Sequence, residues 1–259
     1  MKSIEKAIQI LQYLSNVKRS VGINELSLEL SFPKSTVHRI LNSLLSYSLV
    51  DQEKETSKYR LGLGILEYSN SFYNTFDLRQ IAKPILEKLC NKTKLTTFLT
   101  VWHNGHSICI DSIIPSENTN TQLFVDIGRE MPFHCTASAK VLLAYQSPEI
   151  IKRIINEGPL NKYTPKTIID SKKLEKHLLE IRQKNFAICD EELERGVRAI
   201  AAPIKNINGE VIASITITGL LSRISFGDNI EKFILIVTQA AKEVSKILGY
   251  KEENFYKEK

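Results

Sequence analysis

From Leu30 to Val50 the chain carries no acidic residue, and inside that window Val37, Ile40, Leu41, Leu44 and Leu45 recur at helical spacing. Such spacing buries one face and leaves Lys34, Ser35, Thr36, His38, Arg39 and Asn42 outward or lateral. Pro33 suits the first helical position, where a missing N–H and a preset φ cost nothing, and Ser31-Phe32 marks a turn before it. A second helix should precede that turn, with Asn24 as N-cap and Leu26 and Leu30 inside. A first helix has Ile4, Ala7, Ile8, Leu11 and Leu14 on one face. Leu49-Val50 and Tyr59-Arg60-Leu61 follow as two short strands around the polar stretch 53–57. The segment is thus a small helical unit closed by a hairpin, with a cationic helix start on its surface.

A helix-turn-helix reader of duplex DNA has these parts: a support helix, a tight turn, and a second helix whose outer face enters the major groove. Short hydroxyls and free N–H groups at the helix start suit phosphate oxygens. Arg39 suits a phosphate or a guanine edge, and Thr36 a thymine methyl. Lys54, Lys58 and Arg60 on the hairpin would hold the flanking backbone as a wing. The competing reading is an amphipathic helix in a small bundle whose basic residues are merely solvated. Charge placement favours the reader. The whole chain of 259 residues has a formal net charge of +6, and residues 1–60 hold nine basic against six acidic side chains, half of the excess in under a quarter of the length.

Beyond residue 62 the pattern changes. A helical stripe of Ile81, Ile85, Leu86 and Leu89, capped by Asp77 and kinked at Pro84, leads into strands that flank Asn104-Gly105, a strong hairpin signal. Helices are expected over 136–145, 148–156, 172–184 and 228–248; strands over 186–189, 197–204 and 211–218, the last two joined across Asn208-Gly209. Strands mixed with helices indicate an α/β or α+β domain on a mixed sheet. Thr136-Ala137-Ser138, opening a helix, offers free amides and hydroxyls to a carboxylate. Thr216 and Thr218 share one face of a strand, as Val197 and Ala199 share a face of another. Lys140 is either a counter-charge for an acidic ligand or a solvated lysine, His134 a core or turn histidine or else a direct ligand, and Arg198 a structural or interface residue.

Five segments in one order resemble the IclR family of bacterial transcriptional regulators. They are Pro33-Lys34-Ser35-Thr36-Val37-His38-Arg39-Ile40-Leu41; Tyr59-Arg60-Leu61-Gly62; residues 131–140, MPFHCTASAK; Asp190-Glu191-Glu192 with Gly196-Val197-Arg198; and Ile200-Ala201-Ala202-Pro203-Ile204. The resemblance covers residues 1–250. It implies a winged helix-turn-helix over 1–61, a helical linker over 62–76, and a GAF-like effector domain over 77–250, followed by a charged tail over 251–259. It also implies homodimers or homotetramers on palindromic double-stranded operator DNA, and a small-molecule effector met by Ala137, Ser138, Cys189, Val197, Ala199, Thr216 and Thr218. Three residues depart from the family pattern: Ser31 where Gly is frequent, Cys189 where some relatives have Asp, and Ala139 where Gly is usual. The expected function is a ligand-responsive regulator, a repressor of a catabolic operon sensing a carboxylic or sugar acid, with an activator or an enzyme as alternatives.

Enzyme chemistry finds little support. Adjacent His134 and Cys135 point to opposite sides of an extended chain, His103 and His106 lack a third metal ligand, and the acidic run 190–194 reads as a solvated connection. GxGxxG, GxSxG and GxxxxGK[ST] are missing, so no cofactor and no metal are expected. Four dispersed cysteines without CxxC, and no apolar run of about 18 residues, suit a reduced cytoplasmic protein without a membrane span.

Overall fold

The computed structural model describes residues 3–17, 19–68, 77–116 and 123–251, and the chain divides into two units at Phe76/Asp77. Part of the expected linker (69–76) and the tail from 252 lie outside the described residues.

In the first unit, helices α1 (Ser3–Val17), α2 (Ile23–Glu29) and α3 (Lys34–Ser46) precede a hairpin of β1 (Val50–Gln52) and β2 (Tyr59–Leu61). Ile10, Leu14, Leu26, Phe32, Val37 and Leu41 form the centre of its core. Three local expectations shift. Helix α2 begins two residues early, so Gly22 holds the cap position without a side-chain bond, and Asn24 falls inside the first turn. Pro33 is the residue before α3 rather than its first. Ile4 and Ile8 are 74% and 49% exposed, because α1 meets the core through Ile10 and Leu14.

Ser31 adopts φ 55, the left-handed turn that costs a non-glycine residue about 1 kcal/mol. The hairpin pairs antiparallel, Asp51 opposite Arg60, and Val21 adds a third short strand by exchanging two backbone bonds with Tyr59 at 2.7 and 2.8 Å. Glycine is needed at Gly62, where a Cβ would lie 2.3 Å from the Ser48 carbonyl oxygen. That close crossing ends the wing.

The second unit contains α4 (Asp77–Thr93), β3 (Thr96–His103), β4 (His106–Ile113), α5 (Ala137–Ala144), α6 (Pro148–Glu157), α7 (Ser171–Lys184), β5 (Ala187–Asp190), β6 (Val197–Lys205), β7 (Val211–Leu220) and α8 (Asp228–Ile247). Its five strands run in the order β4-β3-β7-β6-β5. Every pairing is antiparallel, so the sheet is antiparallel where a mixed one was expected, and the class is α+β. The reason is connectivity: β3–β4, β5–β6 and β6–β7 are neighbours in sequence and pair directly, and β7 then closes against β3 antiparallel. Asn104 (φ 51) and Gly105 (φ 90) make the expected tight turn between β3 and β4.

Helices α4 and α8 cover one face of the sheet; α5 lies on the other, backed by α7. All eight residues of α5 are buried, as suits a helix enclosed on every side. Small side chains beneath it, Cys189, Ala199 and Ala201, let it sit close to the sheet. Thr136 caps α5 through its hydroxyl, which accepts from the Ala139 N–H and donates to the Pro132 carbonyl. Among the described residues no helix is long and apolar enough to cross a membrane.

Candidate functional site

Helix α3 buries Val37, Ile40, Leu41 and Leu44 and presents the opposite face to solvent. Lys34, Ser35, His38, Arg39 and Asn42 are exposed there and Thr36 is half-buried. The Lys34 and Ser35 N–H groups at its start have no intrahelical acceptor. Asn42 and His38 approach at 3.4 Å, one turn apart, and Arg39 Nη2 donates to Ser3 Oγ at 3.3 Å, which steadies the guanidinium at the edge of α1. Lys54, Lys58 and Arg60 are exposed on the hairpin. Arg19, also basic, is instead committed to Glu25 by two bonds of 2.6 and 3.2 Å.

In the second unit a cavity of about 90 Å³ opens where the start of α5 meets the sheet. Five of the seven predicted ligand residues line it: Ala137, Cys189, Val197, Ala199 and Thr218. They come together because Cys189, Ala199 and Thr218 stand in register across β5, β6 and β7. Ser138 and Thr216 do not line it. Both are fully buried beneath it, with hydroxyl groups that have no hydrogen-bond partner. Cys189 Sγ donates to the Cys135 carbonyl at 3.1 Å, and burial pushes its thiol upward, so the wall it forms is neutral. The Cys135 thiol is pushed up to about 12 by burial, which leaves no thiolate for a nucleophile.

The sequence reading missed Phe98, Phe124, Arg129, Met131, Leu193 and Glu194, which also line it, together with Leu123, Val125 and the capping Thr136. Phe98 was legible in principle, since it pairs with Thr216 and so shares its face. The others come from connections whose path no local pattern fixes.

The acidic run is not a solvated loop. Glu192 Oε1 accepts from Lys140 Nζ at 2.5 Å; that lysine is fully buried and also donates to the Ile188 carbonyl at 3.2 Å. Lys140 is therefore neither solvated nor facing the cavity. Its Nζ lies 3.2 Å from His177 Nε2, and burial, helped by the adjacent ammonium, lowers that imidazole to about 4. Asp190 pairs with Arg198 and Lys166, and Glu191 with Lys166. The Arg198 guanidinium also donates to the Ile224 carbonyl and stacks on Phe226 at 3.7 Å, which is a structural role. His134 is buried with Nε2 2.9 Å from the Asn161 carbonyl, away from the cavity lining. Among the described residues no group of three or more His, Cys, Asp or Glu could hold a metal.

Two family models match the chain. The IclR helix-turn-helix domain covers residues 3–54, and the bacterial transcriptional regulator IclR C-terminal domain covers residues 71–246. The HTH-type transcriptional regulator XynR of Escherichia coli (strain K12) is 30% identical over 250 residues, 96% of this chain and 98% of that one. The transcriptional repressor IclR of the same organism is 28% identical over 251 residues, 96% and 90% of the two chains. An IclR homolog from Microbacterium hydrocarbonoxydans, solved in complex with 4-hydroxybenzoate, shares the fold at a TM-score of 0.81 and 21% identity, over 95% of this chain and 99% of that one. These relatives are transcriptional regulators, not enzymes.

Proposed function

The chain belongs to the IclR family and is a DNA-binding transcriptional regulator, and on that premise we propose that it represses a catabolic operon until a small carboxylic or sugar acid occupies its second unit. In this reading residues 1–61 bind one half of a palindromic operator, 62–76 link the units, and 77–250 sense the effector. Dimers or tetramers set the half-site spacing. Lys34, Ser35, Thr36, His38, Arg39 and Asn42 enter the major groove, and Lys54, Lys58 and Arg60 hold the flanking phosphates. The acid meets Ala137, Cys189, Val197, Ala199 and Thr218, while Ser138 and Thr216 wait beneath.

The observation that carries this reading is the cavity itself: the N-terminus of α5 faces the small, neutral side chains of three adjacent strands. A helix start favours an anion, and small walls leave room for one. Binding there changes operator occupancy only if the acid prefers one of two conformations, DNA-bound or free.

The test is a gel shift of the full chain on DNA upstream of its own gene. Arg39→Ala should lose retention by at least tenfold while acid binding is unchanged; wild-type retention would remove Arg39 from the reader. Equal affinity for random DNA at matched salt would replace the regulator by a nonspecific binder. Deleting the gene should raise expression of its target operon. A fall would make the protein an activator.

A further inference from the structure

The cavity carries two opposite charges that the sequence reading did not connect with it, Arg129 and Glu194. Both side chains are exposed at its mouth, and neither makes a hydrogen bond or ion pair among the described residues. Arg129 nonetheless stands on a fixed backbone. Its carbonyl accepts from the Cys109 N–H at 3.0 Å, Gly128 N–H donates to the Cys109 carbonyl at 2.7 Å, and Met131 N–H donates to the Ser107 carbonyl at 2.8 Å. The segment is thus bonded along the edge of β4, with Glu130 bridged to Ile108. Alternation along this extended stretch turns Arg129 and Met131 to the cavity and sends Glu130 the other way, to His106 at 2.7 Å. The guanidinium is therefore delivered to the mouth by backbone that is already ordered.

Size narrows the occupant. A cavity of about 90 Å³, walled by small side chains at the sheet, favours a compact occupant. A three- or four-carbon acid fills such a space more closely than a hexose-derived or aromatic one.

We propose that Arg129 and Glu194 select the charge of the effector: one short-chain monocarboxylate, its carboxylate set at the start of α5 and reached by the Arg129 guanidinium, with Glu194 repelling a second negative charge. This inference rests on the effector reading above. Arginine matches a carboxylate with two parallel donors, a geometry that lysine lacks. Glu194 supplies discrimination by repulsion: a dicarboxylate of similar size would bring its second charge against the Glu194 carboxylate.

Calorimetry on the full chain tests the proposal with pyruvate, glycerate and butyrate as monoanions, pyruvamide as an uncharged counterpart, and malonate as a dianion. At least one monoanion should bind, with pyruvamide and malonate at least tenfold weaker than that monoanion. Arg129→Gln should weaken the bound monoanion at least tenfold, with the melting temperature of the unliganded protein unchanged, and Arg129→Lys should recover part of it. Glu194→Gln should improve malonate at least tenfold and leave the monoanion nearly unchanged. Wild-type affinity in Arg129→Gln, or no binding by any of the three monoanions, overturns the proposal.

Operator release separates this from the broader reading, using Val197→Trp to fill the cavity. If 4-hydroxybenzoate releases the wild type and Val197→Trp does not respond, the cavity senses a larger acid and only the charge-and-size proposal falls. If Val197→Trp responds to acids as the wild type does, both fall.

Discussion

Lys140 shows how far a single residue's role depends on its surroundings. Its position in a helix start rich in short polar residues suggested solvent or an anionic ligand, yet it is fully buried and neutralises Glu192. A buried pair of this kind makes each partner costly to remove, since the charge left behind has no water to turn to. The same lysine decides the state of His177, whose Nε2 accepts from the ammonium and is therefore unprotonated. With its imidazole lowered from 6.5 to about 4 by burial and by Lys140, the folded protein refuses a proton that the unfolded chain takes up between those values. Stability should therefore be complete above about pH 6.5, decline as the pH drops toward 4, and level off below. Allowing for solvent screening, the loss is on the order of 1–2 kcal/mol. Urea unfolding across that pH range measures it, and His177→Gln should flatten part of the slope. A remainder will persist, because burial lowers His134 in the same direction. An identical slope in the variant would assign the acid sensitivity to other groups.

At the scale of elements, α3 was the most legible part of the chain. Its apolar spacing, the lack of acids and the preceding turn all act within about fifteen residues, so local pattern sufficed to orient it. The wing is less complete in sequence: its third strand is Val21, a single residue whose pairing with Tyr59 leaves no periodic trace. If the wing holds phosphates, Lys58→Ala should weaken all DNA sequences about equally and reduce the slope of log affinity against log salt by about 0.9. Fluorescence anisotropy at several salt concentrations reads this directly; an unchanged slope would place Lys58 off the DNA. Helix α1 was read less well, since a stripe that started at Ile4 overlooked Ile10. The error is physical: an amphipathic face can be drawn along several offsets, and contact with α3 and β2 selects one of them.

For the molecule as a whole, the two units have separate cores, one around Leu26 and Leu41, the other around α5 and the sheet. A fragment spanning 77–251 should therefore unfold cooperatively and keep the acid affinity of the full chain within about threefold, a difference under 1 kcal/mol, while losing DNA retention. Loss of acid binding in a folded fragment would show that the first unit contributes to the cavity. The amino-acid order by itself determined the helix-turn-helix and the hairpins, because turns, helix faces and strand alternation are set by near neighbours, and its motifs carried the family resemblance that implied five residues of the cavity wall. Only the tertiary structure decided that the sheet is wholly antiparallel, that the acidic run is pinned by Lys140, Lys166 and Arg198, and that Arg129 and Glu194 meet at one opening. Those outcomes depend on groups 8 to 122 residues apart, brought together by the close packing of a buried helix against a sheet of small side chains.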